Sequence, residues 1–120
     1  MHIVHQDRSE AEDRSSAMGD MFTGQVLMQN LVAEGDVPSL RVTSVTFVDG
    51  CRNIWHTHTT EQVLIVTDGV GIVANEDGER EIVPGDVAVI QPNERHWHGA
   101  KEGHDMTHLS ILIPGEMKVE

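Results

Sequence analysis

A chain of 120 residues is most simply one domain, large enough to bury roughly 65% of its unfolded surface and too small for a second core. Its net charge of -12, from 20 acidic against 8 basic side chains, argues against nucleic acid or an anionic membrane as partner. One cysteine, Cys51, excludes an intrachain disulfide and suits a reducing compartment. No early apolar run resembles a secretory signal or membrane span, so the cytoplasm is the expected location.

Residues 1–23 form a polar N-terminal arm, charged throughout, whose segment 7–16 is able to make a short helix or remain a mobile arm. From Gly24 the pattern changes to short runs of Val, Ile, Thr and Leu, punctuated by Gly, Pro, Asp and Asn, with no helical period. The expected strands are 26–31, 40–48, 53–58, 62–67, 70–75, 79–83, 86–91, 96–99 and 106–113, which make 24–120 a single all-β unit. Asn75-Glu76-Asp77-Gly78-Glu79 reads as a hairpin turn with Gly78 available for positive φ. The apolar alternation, including Leu64-Ile65-Val66, joins Phe22 and Phe47 in the expected core.

The chemistry concentrates in His56-Thr57-His58, Gln62 and His96-Trp97-His98. Residues two apart in a strand share a face and lie about 6.6–7 Å apart, so His56 and His58 can converge on one point. A tight turn at Thr59-Thr60 keeps Gln62 in the same parity on the next strand, and His96 can close the site from further along the chain. Three imidazoles and an amide oxygen are ligand types for one divalent ion, without thiolate, and suit Mn, Fe, Ni, Co or Zn. Glu61 is the competing fourth ligand; alternation favours Gln62, which shares a face with Leu64 and Val66. With Gln62 the donors are all neutral, and the ion keeps its full charge as a stronger Lewis acid.

These residues resemble the cupins, small double-stranded β-helix barrels with a jelly-roll-like topology and two metal-binding motifs. Gly50, His56, His58 and Gly69 fall on the first motif, with Gln62 at its acidic position; Gly85 and His96 fall on the second, from which Gln91, Asn93 and Ala100 depart. The resemblance covers about residues 24–114. Within the family the pattern is similar to bacterial single-domain cupins carrying His-Trp-His-Gly-Ala, here 96–100, and a late Thr-His-Leu, here 107–109. That group includes manganese-dependent hydroxynitrile lyases and cupins associated with carboxymuconolactone decarboxylases. The resemblance implies metal ligands at His56, His58, Gln62 and His96, manganese as the favoured ion, His108 as base, and His98 as a second proton-transfer or substrate-orienting group. It also implies a small hydroxy or carbonyl substrate and a homodimer. The chain departs from the lyase pattern at Asn53, where a hydroxyl residue is expected, and at Leu112, where a glutamine is expected.

A cupin dioxygenase using iron on the same ligands, and a non-catalytic module that binds a small ligand, are the alternatives to a lyase; fold alone decides nothing among them. Other conspicuous residues have plainer readings. Trp55 and Trp97 have parity opposite to the ligands and are expected to pack outside their face; Cys51 is expected to be inert; Arg41 and Arg52 are surface residues or contacts for an anionic substrate; His2, His5 and His104 are tail or loop residues.

Overall fold

The computed structural model describes residues 1–120. Eleven strands and one 3-10 turn make up the regular structure. The nine strands expected from alternation are present: β2 (Val26–Val32), β3 (Arg41–Phe47), β4 (His56–His58), β5 (Gln62–Gly69), β6 (Gly71–Asn75), β7 (Gly78–Ile82), β8 (Val87–Ile90), β9 (Trp97–Ala100) and β10 (Met106–Leu112). Two short strands complete the set, β1 (Glu12–Asp13) and β11 (Met117–Val119). They pair antiparallel with β2 and β4 respectively.

The strands form a six-stranded sheet in the order β1-β2-β3-β10-β5-β8, a three-stranded sheet β7-β6-β9 and the pair β11-β4. Inward positions alternate as a half-buried strand requires: Gln62, Leu64 and Val66 of β5 are buried, while Val63, Ile65 and Thr67 are less so. The core joins Val26, Val45, Phe47, Val66, Ile82 and Met106 across both sheets. Phe47 is fully buried, and Phe22 meets it edge to face with ring centres 6.2 Å apart. The expected hairpin between β6 and β7 forms with Asn75 opposite Gly78, where the Asn75 side chain accepts from the Asp77 amide. Gly78 has the positive φ that the turn needs.

The polar arm makes no helix beyond the turn Arg8–Glu10. It lies against the outer face of the large sheet, where Gln6 donates to Ser44 and Arg8 to Thr107, whose hydroxyl meets that of Thr46 at 2.8 Å. Those three hydroxyl residues are buried, so the arm's polar side chains supply partners that a sheet face turned from solvent would otherwise lack.

One irregularity positions the site. Pairing of β10 with β5 shifts register between Thr107 and His108, leaving Thr67 as the extra residue. A bulge of this kind re-aims the strand locally. At the end of β5, Gly69 has φ +79°, and a Cβ there would stand 2.0 Å from the Asp105 carbonyl oxygen. Only glycine lets the chain turn against the start of β10 at this distance.

Candidate metal centre

His56 and His58 occupy the two inward positions of β4 and are buried, as are Gln62 at the first position of β5, His96 just before β9 and His98 on it. The backbones of His56 and His96 exchange two hydrogen bonds of 3.0 Å, which fixes the two motifs against each other. The rings follow: centres of His56 and His96 lie 4.2 Å apart, of His56 and His58 4.9 Å, and of His58 and His96 5.4 Å. One nitrogen from each of the three falls within 4.8 Å of the other two. A histidine triad that could hold a metal ion is thus assembled from one strand and the approach to a second.

Ring orientation is set from behind. Nδ1 of His56 meets the Ile54 carbonyl at 2.6 Å, and Nδ1 of His96 meets the Glu94 carbonyl at 2.8 Å. A carbonyl only accepts, so each Nδ1 carries the hydrogen and each Nε2 presents a lone pair. Nε2 of His58, Nε2 of His96 and Oε1 of Gln62 are buried without any hydrogen-bond partner. Buried polar atoms are almost always paired, and these three, two of them on the triad, are lone-pair donors that a cation would satisfy. The Gln62 amide points its oxygen away from Ser110, to whose hydroxyl its nitrogen donates at 2.9 Å. Glu61 is exposed and contributes nothing to the cluster.

Burial drives every ring toward its neutral, ligating form. It pushes His56 down to about 3, helped by the neighbouring His96 and opposed by the Ile54 carbonyl. His58 is lowered to about 4 by burial and His96, with Gln62 opposing. His96 is lowered by burial against the Glu94 carbonyl and carboxylate.

Beside the triad lies a cavity of about 310 Å³ whose lining includes His56, His58, Gln62, His98 and His108. Val45, Phe47 and Leu112 are among its apolar walls, Thr43, Asn53, Thr60 and Ser110 are its uncharged polar ones, and the partly exposed Met18 and Met117 also line it. No Lys, Arg, Asp or Glu lines it. His108 is fully buried, with Nε2 3.1 Å from Nδ1 of His98; Nε2 of His98 in turn meets the Asn53 amide nitrogen at 3.2 Å. Burial lowers His98 well below its ordinary value, with His108 adding to the effect, and lowers His108 to about 4 against the Leu109 and His108 carbonyls.

The remaining conspicuous residues lie elsewhere. Trp55 and Trp97 pack edge to face outside the cavity, Arg95 stacked on the first at 3.9 Å and Arg52 on the second at 3.5 Å. Arg52 is thereby committed to packing, and Arg41 donates to the Val37 and Leu40 carbonyls, so neither reaches the cavity. Cys51 is buried in the core cluster, and burial raises its thiol. His2, His5 and His104 are exposed. Sequence reasoning missed Ser110; its shared parity with His108 and Leu112 on one strand was the available signal.

The cupin domain family profile matches residues 43–116, which contain the triad, Gln62, His98 and His108. The chain belongs to the cupins. This cupin is 45% identical over 104 residues to an (R)-mandelonitrile lyase from Granulicella tundricola, covering 86% of this chain and 78% of that one. Among solved structures it superposes with a TM-score of 0.82 on a cupin-like protein from Thermotoga maritima, at 36% identity over 91% of this chain and 86% of that one. It also matches the polyketide cyclase RemF from Streptomyces resistomycificus with a TM-score of 0.83, over 98% of this chain and 85% of that one; at 15% identity that likeness concerns the fold alone.

Proposed function

We propose that this cupin is a metal-dependent lyase that cleaves a small, neutral, cyanohydrin-type hydroxy compound to a carbonyl compound and cyanide, with manganese as the favoured ion. The observation that carries the reading is the pairing of four uncharged donors, His56, His58, Gln62 and His96, with a neutral histidine pair in an apolar cavity free of fixed charge. The likeness to an (R)-mandelonitrile lyase supports it independently.

A divalent ion held by those donors keeps its full charge and supplies Lewis acidity to a substrate oxygen. The chain does the rest. Walls such as Val45, Phe47 and Leu112 take the substrate's apolar substituent and exclude water. In cleavage the electron pair of the carbon–carbon bond leaves with cyanide, an oxygen pair closes the carbonyl, and one proton passes from the hydroxyl oxygen to cyanide. His108, linked to His98, is the group that meets the reacting atoms as this proton moves, since no other titratable side chain outside the ligand set lines the cavity. With no Lys or Arg in its lining, the cavity offers no side-chain cation to a carboxylate or phosphate on the substrate.

The test is release of aldehyde from mandelonitrile by metal-free protein and by protein reloaded with manganese, iron or zinc. Release that depends on the metal and is lost in His108→Ala supports the reading. Thermal stabilisation by mandelonitrile without release would favour a binding module; oxygen consumption by the iron form alone would favour a dioxygenase.

A further inference from the structure

Asn53 meets His98 through three contacts. Its backbone amide donates to the His98 carbonyl at 3.0 Å, its side-chain oxygen accepts from the His98 amide at 2.8 Å, and its side-chain nitrogen lies 3.2 Å from Nε2 of the ring. The middle contact decides the orientation of the amide. A backbone N–H can only donate, so the atom facing it is the oxygen, and the atom facing the imidazole is the NH2 group. An NH2 group only donates. Nε2 of His98 is therefore bare, and its hydrogen sits on Nδ1.

The consequence passes along the chain of contacts. Nδ1 of His98 donates across 3.1 Å to Nε2 of His108, which is bare in its turn. The hydrogen of His108 sits on Nδ1, the one nitrogen of the pair with no hydrogen-bond partner. In the reverse arrangement the N–H of His98 would face the NH2 of Asn53, leaving two buried donors pointed at each other and unsatisfied. Gly99 makes the approach possible, because a Cβ there would stand 2.4 Å from Cα of Arg52 and force the segment bearing Asn53 away.

We propose that Asn53 is a positioning residue whose amide dictates which nitrogen of His98, and through it of His108, carries the hydrogen, so that the pair is left with an N–H hydrogen-bond donor at His108 Nδ1 and no free lone pair to act as a base. Its catalytic meaning rests on the lyase reading; the proton placement does not. An N–H donor fits the half of the reaction in which cyanide departs with its electron pair: a hydrogen bond steadies the developing anion, and the proton that cyanide takes is the one the substrate hydroxyl gives up.

The experiment is a long-range 1H–15N correlation spectrum of the full chain with 15N-labelled histidine, metal-free and zinc-loaded, using His98→Gln and His108→Gln for assignment. The expected result is a pyridine-like Nε2 and a pyrrole-like Nδ1 on both rings. In Asn53→Asp, whose carboxylate only accepts, Nε2 of His98 is expected to become pyrrole-like. Pyrrole-like Nε2 on His98 in the unaltered chain, or no change in Asn53→Asp, would overturn the proposal. If the variant fails to fold, the spectrum of the unaltered chain still decides. The expected spectrum without cleavage of mandelonitrile in any metal form sinks the lyase reading and leaves the placement standing; cleavage with the opposite spectrum does the reverse.

Discussion

Gln62 reaches the imidazole cluster with its amide already committed, nitrogen to Ser110 and oxygen left bare. Ser110 thus acts on any bound metal through a ligand it orients. Partners of this kind change metal affinity by about 10–100-fold when removed, so Ser110→Ala is expected to weaken manganese binding by that factor in a chelator competition, with little change in the melting temperature of the metal-free chain. Gln62→Glu is expected to act in the opposite sense on affinity, since a carboxylate attracts the ion more strongly, and to lower the cleavage rate by neutralising part of its charge. Alternation was sufficient to separate Gln62 from Glu61, because one residue of slip exchanges the faces of a strand. It could not identify Ser110 or the role of Asn53, because a hydrogen bond between side chains 48 or 45 residues apart depends on how the strands are placed side by side.

The elements that carry the site are held by close backbone approaches as much as by apolar packing. Where β5 ends, Gly69 combines positive φ with contact to the Asp105 carbonyl, immediately before the strand that bears His108. Gly69→Ala is expected to cost at least about 2 kcal/mol in urea unfolding, from the strained φ and the displaced backbone together. The same variant is expected to disturb the His108 ring signals even under conditions where the chain remains folded. The longer strands were legible because five to eight alternating residues carry a signal of their own. The pairs Glu12–Asp13 and Met117–Val119 were not, since two or three residues have no period, and they become strands only through the neighbours β2 and β4. The fate of the arm was open for a similar reason: its polar side chains find partners on a sheet face that exists only after folding.

At the scale of the molecule, five buried neutral imidazoles make the fold sensitive to acid. Their folded values lie below the ordinary 6.5, at about 3 for His56 and about 4 for His58 and His108, with His96 and His98 shifted the same way. Unfolding lets each ring take up a proton that the native state refuses. The neutral rings therefore carry no penalty above pH 6.5, and stability is lost as the pH falls from there toward the folded values. Each ring contributes about 1.4 kcal/mol per pH unit, against a total of about 5–15 kcal/mol for a domain. The metal-free chain is expected to melt at a constant temperature between about pH 7 and 8 and to lose its transition by about pH 5. Saturating manganese is expected to move that limit downward, because an ion on the ring nitrogens competes with protons. Melting curves across this range, with and without the metal, check both expectations.

The three residues of β11 pair with the strand that carries His56 and His58, Met117 opposite His58 and Val119 opposite His56, and Glu120 beyond them is bridged to Arg95. That arrangement separates the hold on the metal from the hold on the fold. Breaking β11, as in Lys118→Pro, would remove nothing from the core, yet would release one side of the ligand strand. Such a variant is expected to keep its melting transition while its hold on manganese slackens, so that a stored sample would lose its metal before it lost its shape.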